Sequence, residues 1–197
     1  MQSALPCAKG TCASCEPRRA MRTVMHNNQA MRKKDQEITD FQALEDIIRR
    51  SQVCRVAMTT DGIPYVVPLC FGYQDRTLYF HTAQEGRKID ILRENPQICV
   101  EFDLDYEVVP REAACKWGIR YRSVIGSGRA EFIEDPHAKE AALQVIMQHY
   151  GKDQGAFTFS PNSLQRTLII QVYLDHLSGK MSGYAPAGSS AEASQAL

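Results

Sequence analysis

Three things are scarce in this sequence: an excess of charge of either sign, a long apolar run, and tryptophan. The 197 residues carry 23 basic and 23 acidic side chains, so the formal charge is zero. A balanced chain has no overall pull toward nucleic acid or an anionic membrane, so any anion must be held by a local cluster of cations. The longest mostly apolar run, Ile63 to Phe71, falls far short of the roughly 20 residues that cross a bilayer. The first 30 residues hold no continuous apolar stretch of the export-signal kind. The seven cysteines are therefore expected to stay reduced in a cytoplasm, and their odd number argues against complete pairing. No Gly-x-Gly-x-x-Gly turn follows a first strand and no P-loop is present, so neither a Rossmann dinucleotide site nor an NTPase is expected.

What is present is an ordinary globular composition, 44% hydrophobic and 23% charged, with length for one domain. Residues 1–30 show no hydrophobic period and read as a poorly ordered extension. Residues 182–197 are rich in Ala, Ser and Gly and read as a flexible tail. The domain is expected over 31–181. Ile38, Phe41, Leu44, Ile47 and Ile48 fall at helical spacing, and Thr39 with Gln42 fits a capping box. Val53 to Thr60 reads as a strand closed by the turn Asp61-Gly62, which tolerates the positive φ of a tight hairpin. Pro64 to Tyr73 and Thr77 to Thr82 read as the next strands, joined by Gln74-Asp75-Arg76. Gly86 to Arg93 reads as a short helix stopped by Asn95-Pro96. Ile98 to Leu104 and Arg120 to Ile133 continue the strands. Asp135-Pro136 starts a helix to about Tyr150, with Ala142, Leu143, Ile146 and Met147 inward. Thr167 to His176 is the last strand. Six strands linked mostly by hairpins predict a mainly β (α+β) fold: an antiparallel sheet curled into a small barrel with flanking helices.

The exit of the third strand carries the clearest chemistry: Leu78-Tyr79-Phe80-His81-Thr82-Ala83-Gln84-Glu85-Gly86-Arg87-Lys88. Arg87 can fork onto two phosphate oxygens, Lys88 adds a point charge, and a helix start offers free amides and a positive dipole end. On spacing alone, the same residues also fit a solvated helix start with two surface cations.

The order of segments resembles the pyridoxamine 5′-phosphate oxidase-related flavoproteins, the FMN-binding split barrels, and within them the Nim-type branch named for 5-nitroimidazole resistance. The residues that carry the likeness are Met31 to Ile38, Gly62 to Leu69, Leu78 to Lys88, Asn95-Pro96 and Arg120 to Glu131. The resemblance implies a six-stranded split barrel that forms a homodimer, with FMN at the subunit interface and a small-molecule substrate. It implies that Arg87 and Lys88 grip the FMN phosphate, and that His81 and Thr82 lie beside the flavin. Val67, Pro68 and Leu69 would edge its ring, and Ser123 would reach it from the other subunit. His81 is then a candidate for proton transfer, since imidazole titrates near neutral pH.

The function implied is that of an FMN-dependent oxidoreductase acting on nitro compounds. The alternative is a carrier or sensor of FMN or haem, with His81 or His176 as an iron ligand. Pyridoxamine 5′-phosphate oxidase itself is disfavoured, because the chain ends in Ser-Gly-Lys-Met-Ser-Gly and a low-complexity tail rather than the oxidases' substrate motif. Trp117 reads as a stacking lid or as a barrel plug. Cys7, Cys12 and Cys15 have C-x4-C-x2-C spacing, which lacks a fourth ligand unless His26 supplies one, so no metal site is expected. Cys54, Cys70 and Cys99 are read as small core residues of strands, and His137 and His149 as structural.

Overall fold

Period-2 alternation builds most of this protein. A computed structural model describes residues 31–152 and 154–184, and everything below concerns those. The expected turns form as two-residue hairpins with positive φ at both positions: Asp61 (50°) with Gly62 (78°), and Asp75 (49°) with Arg76 (61°). Arg76 is held in this uncommon conformation from outside the turn. Its guanidinium donates to the Leu174 carbonyl at 3.0 Å and stacks on Phe41 and Tyr173.

The described residues form one antiparallel sheet of eight strands. They are β1 (Glu37–Ile38), β2 (Cys54–Thr60), β3 (Ile63–Leu69), β4 (Gly72–Gln74), β5 (Thr77–Thr82), β6 (Gln97–Val109), β7 (Gly118–Ile133) and β8 (Leu168–Ser182). The hydrogen-bonded order is β3-β2-β6-β7-β8-β5-β4, with β1 paired to β8. The two end strands, β3 and β4, are joined only by Cys70-Phe71. So short a link reaches roughly 10 Å, and the sheet must curl until its ends meet without pairing. That is a split barrel.

Inside it lie Val56 and Met58 of β2, Leu78 and Phe80 of β5, Val100 and Phe102 of β6, Val124 of β7, and Ile170 and Val172 of β8. The helices are α1 (Phe41–Arg50), α2 (Arg87–Glu94), α3 (Pro136–Tyr150) and α4 (Pro161–Arg166). On α3, Ala142, Leu143 and Ile146 are buried against Ile169 on the outer face, and Met147 is half-buried.

Several expectations are corrected. The strand expected over Pro64 to Tyr73 breaks at Cys70-Phe71. Gly72 there packs so closely on α3 that a Cβ would stand 2.6 Å from the Ile146 backbone nitrogen. The sheet therefore has eight strands rather than six, counting the short β1. Ile38 belongs to β1, opposite Gly179, and not to the first helix. The cap of α1 is Asp40, which accepts from the Gln42 amide at 3.2 Å, so the Thr39 capping box does not form. The short α4 was not foreseen. The last strand continues past His176 to Ser182, and Tyr184 donates to the Asp105 carbonyl at 2.6 Å. Of the three strand cysteines, only Cys54 is core. Cys99 faces solvent from β6, and Cys70 lies exposed in the link between β3 and β4.

Candidate functional site

The start of α2 brings two adjacent cations, Arg87 and Lys88, to a glycine-capped helix end. Gly86 caps the helix with φ 133° and ψ 163°, a conformation that is essentially glycine's alone. The Gly86 carbonyl accepts from Ile89 and Asp90, leaving the amides of Arg87 and Lys88 outside the helical ladder. Nothing lies within 4 Å of where a Cβ on Gly86 would sit, so the space beside the cap is clear. Ile89, Ile91 and Leu92 are buried and fix the helix to the barrel. Its far end is tied to the β2–β3 hairpin: Thr60 Oγ1 donates to Glu94 at 2.6 Å, and Asn95 Nδ2 donates to the Thr59 carbonyl at 3.1 Å.

Arg87 itself is exposed, and its guanidinium lies 4.4 Å from the ring centroid of Tyr65 on β3. Among the described residues it joins none of the ion pairs, and neither does Lys88, which is half-buried. Tyr65, Val67 and Leu69 alternate along one face of β3 and pack against the core, so this contact joins the helix start to the strand expected to edge a ring system. Pro68 points the other way, opposite Arg55.

The end of β5 splits the next pair. Leu78 and Phe80 face inward, which puts Thr82 on that same face and His81 on the opposite one, across from Ile169. His81 is exposed. Thr82 Oγ1 is fully buried and finds no hydrogen-bond partner, an orphan that ordinarily costs about 1–3 kcal/mol. Ser123 is not brought to this place within one chain. It lies on β7 between Asp103 and Lys180, with β6 and β2 intervening before β3.

Trp117 is no plug of this barrel. It is exposed, with its indole N–H donating to the Arg111 carbonyl at 2.7 Å. His149 is structural as expected: Nε2 donates to the Ser51 carbonyl at 2.8 Å, and burial pushes its pKa below the usual value. His137 is exposed on the first turn of α3. The Cys7, Cys12, Cys15 and His26 set lies outside the described residues.

Tyr65 is the residue sequence reasoning missed. Its alternation with Val67 and Leu69 was legible, but its contact with Arg87 spans 22 positions and two elements. An aromatic on the inward face of an edge strand was the available signal.

A split barrel with two cations at a helix start beside an end strand of the sheet defines a fold and a candidate site rather than a single activity. The comparisons narrow this further. A family model described as pyridoxamine 5′-phosphate oxidase matches residues 40–181, and the chain belongs to that family. Among solved structures, it is similar to a Bacteroides thetaiotaomicron protein named for 5-nitroimidazole antibiotic resistance. Identity is 39% and the TM-score 0.67, over 74% of this chain and 86% of that one. It shares the fold of the flavocytochrome Anf3 from Azotobacter vinelandii, with 23% identity, TM-score 0.69, and 79% and 73% of the two chains covered. It also shares that of an FAD and haem binding protein from Mycobacterium smegmatis, with 24% identity, TM-score 0.69, and coverage of 77% and 75%. No curated protein matches. Among the described residues, no helix is long and apolar enough to cross a membrane.

Proposed function

We propose that this protein binds FMN at the start of α2 and uses it as an oxidoreductase acting on small nitro compounds. The observation that carries the reading is the unpaired Arg87, stacked on Tyr65 at an open helix start. The residues fit the group. Two cations without carboxylate partners, two free amides and a clear space at Gly86 suit a phosphate dianion. Val67, Pro68 and Leu69 would border the ring, and the orphaned Thr82 hydroxyl, at the end of the strand that leads to the clamp, is a further polar group. FMN would supply the electron transfer. The chain would bind it, orient it and shield it, and His81 would donate or accept a proton at the solvent-facing end of β5. The likeness to a protein named for nitroimidazole resistance favours nitro compounds as substrates.

We further propose a homodimer. Tyr106 (56% exposed), Val108 (60%), Trp117 (57%) and Ile119 (49%) crowd the hairpin formed by the ends of β6 and β7. Val108 stands directly opposite Ile119 there. Apolar crowding of this kind on one protruding element marks an interface. A second copy would also bring its Ser123 to the site, which the chain's own Ser123 does not reach.

A visible spectrum and a titration of purified protein with FMN test the reading. Arg87→Ala with Lys88→Ala is expected to weaken FMN binding roughly ten- to a hundredfold, the loss of one or more charge-assisted contacts. Bound flavin should then support NAD(P)H oxidation with a nitroimidazole as acceptor. Protein that stays colourless with added FMN, or a double variant with wild-type affinity, refutes it.

A further inference from the structure

Arg87 is held by a ring rather than by a carboxylate. That arrangement has a chemical consequence. A guanidinium carbon 4.4 Å over an aromatic face is held without giving its N–H donors to an oxygen, so those donors stay available to an anion. A carboxylate partner would instead occupy those donors and cancel the charge. The platform comes from β3, the end strand of the sheet, and so the same side chain row that would border a ring system also orients the cation. Tyr65 is half-buried and packs against the core, so it is a fixed surface rather than a mobile one. Its hydroxyl appears in none of the hydrogen bonds among the described residues, which leaves the ring face as the part in use.

We infer that Tyr65 is a positioning residue: it holds the Arg87 guanidinium with its donor edge free, and so sets the protein's preference for a phosphorylated flavin over the unphosphorylated one. The inference rests on the FMN reading and adds a determinant of ligand choice to it. Tyr65 acts through Arg87 and is not itself a phosphate ligand.

The test is a pair of titrations, with FMN and with riboflavin, followed by quenching of flavin fluorescence. Wild-type protein is expected to bind FMN more tightly than riboflavin. Tyr65→Val, chosen because valine suits a strand, should lower FMN affinity roughly two- to fivefold, the size of one exposed cation–π contact, and leave riboflavin affinity unchanged. Tyr65→Phe keeps the ring and should keep the preference. In the Arg87→Ala background, Tyr65→Val should no longer alter it, since coupled residues lose their effect together. Tyr65→Leu replaces the valine variant if that one does not fold. Equal loss of FMN and riboflavin binding, an unchanged preference in Tyr65→Val, or the same effect with and without Arg87 would overturn the inference. A wild-type protein that binds both flavins alike would overturn the phosphate clamp itself.

Discussion

Replacing Gly86 by alanine separates backbone strain from crowding at the candidate site. A Cβ at this position meets nothing within 4 Å, so sterics against the rest of the protein contribute no penalty. The penalty comes from φ 133° and ψ 163°, a region that only glycine occupies freely. Holding alanine there costs about 1–3 kcal/mol. For a protein of this size, each kcal/mol lowers the melting temperature by about 2–4 °C, so the expected drop is roughly 2–12 °C. The chain can escape part of that strain only by re-forming the cap. Doing so turns the Arg87 and Lys88 amides away from their present direction.

FMN affinity should therefore fall along with the melting temperature. Gly155→Ala is the control. Its φ of 70° lies in the loop between α3 and α4, a Cβ there meets nothing within 4 Å, and the left-handed conformation costs a similar ~1–2 kcal/mol. It should lower the melting point and leave FMN binding alone. Calorimetry and flavin titration on both variants read this directly. A Gly86→Ala protein that melts and binds FMN like the wild type would falsify the account of this turn as a strained cradle.

The other predictions concern stability and assembly. Burial holds the folded-state pKa of His149 below its ordinary 6.5, so the folded protein binds that proton less readily than the unfolded chain. Its contribution to stability is complete above about pH 6.5 and is lost as pH falls through that value toward the lower folded pKa. His149→Gln, whose amide can still donate to the Ser51 carbonyl, should flatten the acid-side decline in melting temperature between about pH 7 and 5.5. A parallel decline in both proteins counts against it. Glu101, whose pKa burial raises, acts in the opposite sense and is common to both proteins, so it cancels in the comparison. For the dimer, Trp117→Ala with Val108→Asp should shift the mass measured by light scattering toward one chain, and unchanged assembly places the interface elsewhere.

Much of the fold was legible because it rests on local signals. The Asp61-Gly62 turn, the Asp75-Arg76 turn and the Asp135-Pro136 helix start each follow from two residues and their backbone preferences. The break at Cys70-Phe71 was not legible. Apolar residues run through it without a turn signal, and its cause is the close approach of Gly72 to α3, 74 positions away. Thr39 was read as the cap, but β1 pairs Ile38 with Gly179 just before it and the helix begins one residue later, with Asp40 as its cap. Cys70 and Cys99 were misread for a different reason. Cys99 sits between apolar neighbours, but which face of a strand is inward depends on register, and register is tertiary; Cys70 falls at the break itself, outside any strand. At the site, the cations at a helix start were readable, whereas their ring platform was not.

Charge balance looks different once the partners are known. Arg50 and Arg122 both close on Asp105, Arg55 on Glu101 and Asp103, Arg120 on Glu107, and Arg49 on Glu45. Most of these side chains are a quarter to a half exposed, and surface pairs of this kind contribute little to stability. Their effect on recognition is larger. Each such pair withdraws a cation from competition for an anionic ligand, because its donors are occupied and its field is cancelled within a few ångströms. Arg87 and Lys88 are among the described cations left without carboxylates, and what sets them apart is their place: a helix start capped by a glycine in a conformation other residues avoid, beside the Tyr65 ring. A chain with zero net charge can therefore present a local pair of cations, and it is backbone geometry and the neighbouring ring, more than the lack of a partner, that mark this pair out.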